Sequence, residues 1–277
     1  IGNCTVSGNV SGDEKVGGLI GLNDGETDQD TLFSIASSVD KSSFRGTVKG
    51  SYQVGGFAGL NEGTITKANA SGEVQSEEGI IIGGFAGDNS GSIYDCGTDA
   101  DVSGKNNVGG FVGYSDGIIK NSYSTGEVYG TNYAGSFAGS ISNADYVIGA
   151  GKVNIVGQQS QGYVGGFAGN LGGTITGTDN QITIRDAYGN CTATDGKTLP
   201  AAGNNIDFNG DAQQAVLENM ALTTAKEVSE KLYEMFGINM DVLEEEADQY
   251  ADTVFVPYDV PAGTSISLLK DGAEADP

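Results

Sequence analysis

Apolar residues in the first two-thirds of the chain come singly or in pairs, set between glycine, asparagine, aspartate and serine, and the setting repeats. The phrase Gly17-Gly18-Leu19-Ile20-Gly21 returns as Gly55-Gly56-Phe57-Ala58-Gly59, Gly83-Gly84-Phe85-Ala86-Gly87 and Gly109-Gly110-Phe111-Val112-Gly113. It returns again as Gly135-Ser136-Phe137-Ala138-Gly139 and Gly165-Gly166-Phe167-Ala168-Gly169. Start-to-start spacings of 38, 28, 26, 26 and 30 residues define a unit near 26 with insertions. After each phrase comes a turn and an apolar stub, as in Asn61-Glu62-Gly63-Thr64-Ile65, then a third segment such as Ser71-Gly72-Glu73-Val74 or Thr125-Gly126-Glu127-Val128. No stretch before residue 205 has the i, i+3, i+4 spacing of a helix. The period is too short for a propeller blade of four strands. Three short strands per unit predict a parallel β-solenoid, right-handed by the usual preference of parallel crossovers.

Stacking then places like on like, about 4.8 Å apart. Leu19, Phe57, Phe85, Phe111, Phe137 and Phe167 form one expected ladder. Val10, Val48, Val74, Val102, Val128 and Val153 form a second, and Ile65, Ile93, Ile119 and Ile175 a third. Cys4 and Cys96 share one repeat position with Ser42, Ala68 and Ser122, so they read as small ladder residues rather than redox partners. Asn-x-Gly turns such as Asn23-Asp24-Gly25 and Asn61-Glu62-Gly63 read as corners in the left-handed conformation that asparagine tolerates. The opening Ser7-Gly8-Asn9-Val10 matches a third segment, so the chain is expected to be a piece of a longer repeat protein.

The pattern changes near residue 197. Of the 46 glycines, 41 precede that point, and all four prolines follow it. A domain of solenoid repeats over residues 1–196 and an acidic α+β module over 197–277 are the expected units. Asp211 caps an expected helix over 212–221. Thr224-Ala225-Lys226-Glu227 is a capping box for a second helix with Val228, Leu232, Met235 and Phe236 on one face and Gly237 as its stop. A third helix is expected over 240–250, and strands at Thr253-Val254-Phe255-Val256 and Ser265-Ile266-Ser267-Leu268-Leu269. Packed on the last coil, such a module would cover the open end of the solenoid.

Charge and composition remove whole classes of function. A net charge of −24 argues against nucleic acid, which needs a basic footprint. With His 0, no triad, Cys-His pair or H-E-x-x-H zinc site is possible. No apolar run approaches the roughly 18 residues of a membrane span.

Residues 109–128, running from Gly109-Gly110-Phe111-Val112-Gly113 through Asp116-Gly117-Ile118-Ile119 to Thr125-Gly126-Glu127-Val128, resemble the GLUG motif. The resemblance covers about residues 1–195 in six copies. GLUG repeats occur in bacterial surface proteins, including large adhesin-like proteins and some immunoglobulin A1-specific metallopeptidases. The resemblance implies an extracellular, secreted or cell-surface location. Peptidase activity in such relatives sits in a separate zinc domain, whose motif this His-free chain cannot carry.

Three candidate chemistries follow. Asp207, Asn209, Asp211 and Glu218 stand at positions 1, 3, 5 and 12 of a calcium-loop spacing, with Ala212 and Gln214 departing from it. If calcium binds there, a chelator lowers the melting temperature. Tyr52, Tyr133 and Tyr163 precede the Gly-Gly phrase and, in register, would offer rings to a glycan or a protein partner. Asp99 with Asp101, and the stripe Glu73, Asp101, Glu127, are the paired acids a polysaccharide-acting enzyme would need, with only Lys105 and Lys120 nearby. Stacked carboxylates repel, so that stripe reads first as a solvated face. The expected function is therefore non-enzymatic: an adhesin-like or stalk module presenting a solenoid surface to a host glycan or a surface or matrix protein. An accessory domain of a surface metallopeptidase and a polysaccharide-acting enzyme are the alternatives.

Overall fold

The computed structural model describes residues 1–24, 37–155, 163–172, 183–193, 195–205, 221–239, 269–270 and 273–274. Over these the chain is a parallel β-solenoid. Three faces run the length of the stack. One is a six-stranded sheet built from Glu14–Gly17, Tyr52–Gly55, Ile80–Gly83, Asn106–Gly109, Asn132–Gly135 and Val164–Gly165. A second is a seven-stranded sheet from Ile20–Asn23 to Ala202–Asn205. The third and longest is a fourteen-stranded sheet that takes both the stub and the third segment of each unit. Ser43–Lys49 and Asn69–Gln75 are typical of it.

Register follows the repeats residue for residue. Val10 pairs with Val48, Val48 with Val74, Val74 with Val102, Val102 with Val128 and Val128 with Val153. Phe57, Phe85, Phe111 and Phe137 stack with ring centroids 5.0, 4.9 and 4.9 Å apart and planes within 7°. Phe167 continues the column at 5.4 Å. These spacings are the inter-strand distance itself, and each buried ring contributes about 1.5–3 kcal/mol. Ile65, Ile93 and Ile119 form the third ladder, with Val39 before them. Ala144 and Ile184 then occupy the next rungs in direct pairing, so the rung expected for Ile175 is filled by Ile184; Ile175 lies outside the described residues.

Two faces approach more closely than side chains allow. A Cβ on Gly113 would lie 2.5 Å from the backbone nitrogen of Ile82 in the preceding coil, and one on Gly87 2.6 Å from that of Val54. The last glycine of the repeated phrase is thus required by backbone-to-backbone contact. The facing strands of the first five coils carry a left-handed residue at one position: Lys15, Gln53, Ile81, Asn107 and Tyr133, with φ between 47° and 69°. Ser136 stands where the other coils have the second glycine. Its hydroxyl bonds the carbonyls of Gly149, at 2.8 Å, and Gly166, while Gly149 lacks the side chain that would collide with it.

The Asn-x-Gly turns differ from expectation. Asn23, Asn61 and Asn89 are buried and have no positive φ. Their amides make a ladder instead: Asn23 Nδ2 donates to Asn61 Oδ1 at 2.6 Å, Asn61 Nδ2 to Asn89 Oδ1 at 2.7 Å, and Asn89 Nδ2 to Ser115 Oγ at 3.0 Å. An inward side chain at a solenoid corner must satisfy its own polar groups, and an identical neighbour one rung away does so.

Beyond the coils, Ala221–Leu222 adds a further parallel rung on Gly189 and Asn190. Thr224 caps the helix Ala225–Phe236 through the expected box with Glu227, and Gly237 ends it in the left-handed conformation. Val228 and Leu232 are buried. The helix does not close the end of the stack. It turns back along the flank, packing on Tyr123, Ile148 and Ala150, with Tyr188 beside them. The reason lies in the long face, where outward positions that are Ser43 and Asn69 in early coils become Tyr123, Ile148 and Tyr188 later. That apolar stripe needs a cover, and an amphipathic helix supplies it. Residues 212–220 of one further expected helix, all of the other over 240–250, and the strand expected at 253–256 lie outside the described residues, while Ala221, expected to end the first of these helices, is strand.

Candidate functional site

The expected tyrosine row divides. Tyr133 and Tyr163 stack with centroids 5.3 Å apart and planes at 27°. Tyr52 is not in that column. Its register partners are Glu14 and Ile80, whereas the rung of Tyr133 is that of Gln53 and Asn107. A one-residue offset separates them because Tyr133 takes the left-handed position and Tyr52 the residue before it. Tyr52 and Tyr163 are nonetheless exposed.

The acid stripe is in register, with Glu73 paired to Asp101 and the Glu127 backbone N–H donating to Asp101 Oδ1 at 2.8 Å. Each acid is dressed by an ordinary donor. Gln75 Nε2 bonds Glu73 at 2.6 Å, and Glu127 accepts from Tyr129 Oη at 2.5 Å and Asn154 Nδ2 at 3.2 Å. Burial raises the Asp101 carboxyl, and the charges of Glu127 and Glu73 add to the rise. Asp99 stands at the surface as a residue, yet its carboxyl is crowded enough for desolvation to raise it to about 6, with Arg45 pulling the other way. Lys105 and Lys120 are engaged elsewhere, with Glu78 at 2.5 Å and Asp145 at 3.2 Å. Asp207, Asn209, Asp211 and Glu218 lie outside the described residues. Among the described residues no three His, Cys, Asp or Glu side chains gather as a metal site, and no helix is long and apolar enough to cross a membrane.

Cys96 is a ladder residue, its backbone N–H donating to Ser122 Oγ and its sulfur accepting from the Ala68 N–H. Burial pushes its thiol up to about 12, which removes the thiolate that redox chemistry needs.

A concave feature lies away from both the tyrosine row and the acid stripe. A pocket of about 290 Å³ opens between the helix and the coils, lined by Asn69, Asp95, Asn121, Tyr123, Tyr146, Met235 and Phe236. Asp95, Asn121 and Tyr146 stand on one column with Lys41 and Lys67, all with φ between 47° and 56°. Phe236 lies 5.2 Å from Tyr123 and 5.8 Å from Tyr146, tilted to both. The signal was available in the sequence: a tyrosine at a left-handed position otherwise held by Lys, Asp and Asn is out of character. What could not be read was that residues 235–236 would arrive beside it.

The family model described as the GLUG motif matches residues 50–75 and 104–129. No curated protein and no solved structure matches the chain.

Proposed function

From a chain that carries the GLUG motif in two of its coils, we propose a non-enzymatic, adhesin-like module of a bacterial secreted or cell-surface protein. It presents the flank of a right-handed solenoid to a host glycan or matrix protein. The observation that carries the reading is the solenoid itself. A stack in strict register holds aromatic rings at fixed spacing on a rigid face, the exposed Tyr163 stacked on a half-buried Tyr133 among them. Rigid aromatic side chains on a rigid support lose little entropy on binding, which favours recognition. The carboxylates that might have served hydrolysis are spread along a stripe and tied to neighbouring amides and hydroxyls.

The test is a glycan and matrix-protein array, run with calcium at physiological salt. Saturable, salt-resistant binding is the expected result, weakened by Tyr163→Ala if the stacked pair is the contact. A blank array would sink the binding role and leave a spacer. New reducing ends on a glycan would overturn the non-enzymatic reading.

A further inference from the structure

The pocket between helix and coils combines an aromatic wall with a row of polar groups that the protein leaves unused. Tyr123 is only 7% exposed, and its ring lies over Gly97, where a Cβ would meet the hydroxyl oxygen at 2.6 Å. Its hydroxyl makes no hydrogen bond to the protein among the described residues and is not one of the buried orphan oxygens, so it stays free to meet a ligand where the residue lines the pocket. On the same floor Asn121 Nδ2 donates to Asp95 Oδ1 at 3.0 Å. That bond leaves Asp95 Oδ2, Asn121 Oδ1 and the whole Asn69 amide without a protein partner among the described residues. Tyr146 takes the next rung beyond Asn121, Phe236 leans on both it and Tyr123, and Tyr146 Oη donates to the Met235 carbonyl at 3.5 Å, which ties the rim to the helix.

The geometry points to a binding site for one neutral sugar ring, with Asn69, Asp95, Asn121 and the Tyr123 hydroxyl to meet its hydroxyls and the rings of Tyr146 and Phe236 to pack on its apolar face. A pyranose has that division of surface, and neither a simple hydrocarbon nor an ion does. The volume stands at the lower edge of the roughly 300–1,000 Å³ of ligand pockets, room for one ring rather than a chain. Charge selects within the class. Asp95 in the wall and a net charge of −24 repel uronic and sialic acids. The site rests on the binding role proposed above and gives it a location and a ligand class.

The experiment uses the full chain and the methyl glycosides of glucose, galactose, mannose and N-acetylglucosamine. Saturation-transfer NMR detects contact and calorimetry measures affinity. A ligand of this size is expected to bind with a Kd on the order of 1 mM. Tyr123→Phe keeps the ring and removes the hydroxyl, so affinity falls roughly 3- to 10-fold while the melting temperature holds. Asn69→Ala, at a second polar position of the lining, gives a fall of the same order, and Tyr133→Ala gives no change. Absence of saturation by every glycoside at about 50 mM overturns the site. So does binding that Tyr123→Phe and Asn69→Ala both leave intact, or cyclohexanol binding as tightly as the sugars. Array binding that survives both variants would overturn the pocket while the adhesin role stands, and a blank array would remove the role itself.

Discussion

At the scale of single residues, the coil is specified by what each position must avoid. Gly113 has backbone where a Cβ would go, so Gly113→Ala is expected to cost about 1–3 kcal/mol, read as a lower urea midpoint. Asn61 sits in the middle of the amide ladder, accepting from Asn23 and donating to Asn89. Its replacement by Ala strands two buried groups and should cost on the order of 2–4 kcal/mol by the same measurement. Asp88 offers the opposite case. Gln53 Nε2 donates to Asp88 Oδ2 at 2.8 Å, while Gln53 Oε1 and Asp88 Oδ1 stay buried without partners. Asp88→Asn gives the pair a second, reciprocal bond and is expected to stabilise by about 1 kcal/mol, or roughly 2–4 °C in Tm. The Phe and Val ladders were legible in the sequence because identical residues recur at one spacing. The Asn ladder was not, because a turn-forming residue and a buried, self-pairing one are the same letter.

At the scale of elements, the helix Ala225–Phe236 was readable to its caps, since the box at Thr224 and the stop at Gly237 are local chemistry. Its seat was not, because the partner stripe is assembled from residues in different coils: Tyr123, Ile148 and Tyr188. The helix holds to that stripe through few side chains, so Leu232→Ala is expected to release it. Hydrogen exchange should then rise across residues 225–236 while the Val and Phe rungs keep their protection. Thr224→Ala acts at one end only, costing about 1 kcal/mol and fraying the first turn. The tyrosine row is a different case, since Tyr52 stands three residues before its phrase and Tyr133 and Tyr163 two, so the offset is written in the spacing, and the left-handed position falls on Gln53 and Tyr133.

At the scale of the whole molecule, charge and order act together. Desolvation raises Asp88, Asp99 and Asp101, so the folded chain holds these protons more tightly than the unfolded one. The stability they contribute is present at acid pH and is lost as pH rises through about 6, the value to which Asp99 is raised. The melting temperature is therefore expected to climb between about pH 7.5 and about pH 5, and Asp99→Asn to flatten that slope. Every ladder bond between coils runs along the axis of the stack, and the helix lies across several coils at once. Tension between the two ends would open those bonds one coil at a time, each releasing about 26 residues, or roughly 90 Å of chain at about 3.4 Å per residue. Peeling from the far end must first tear the helix off its stripe. A single molecule peeled from that end would thus yield in one stiff initial rupture followed by a train of softer steps of about one coil each, paying out length while the remaining coils keep their grip.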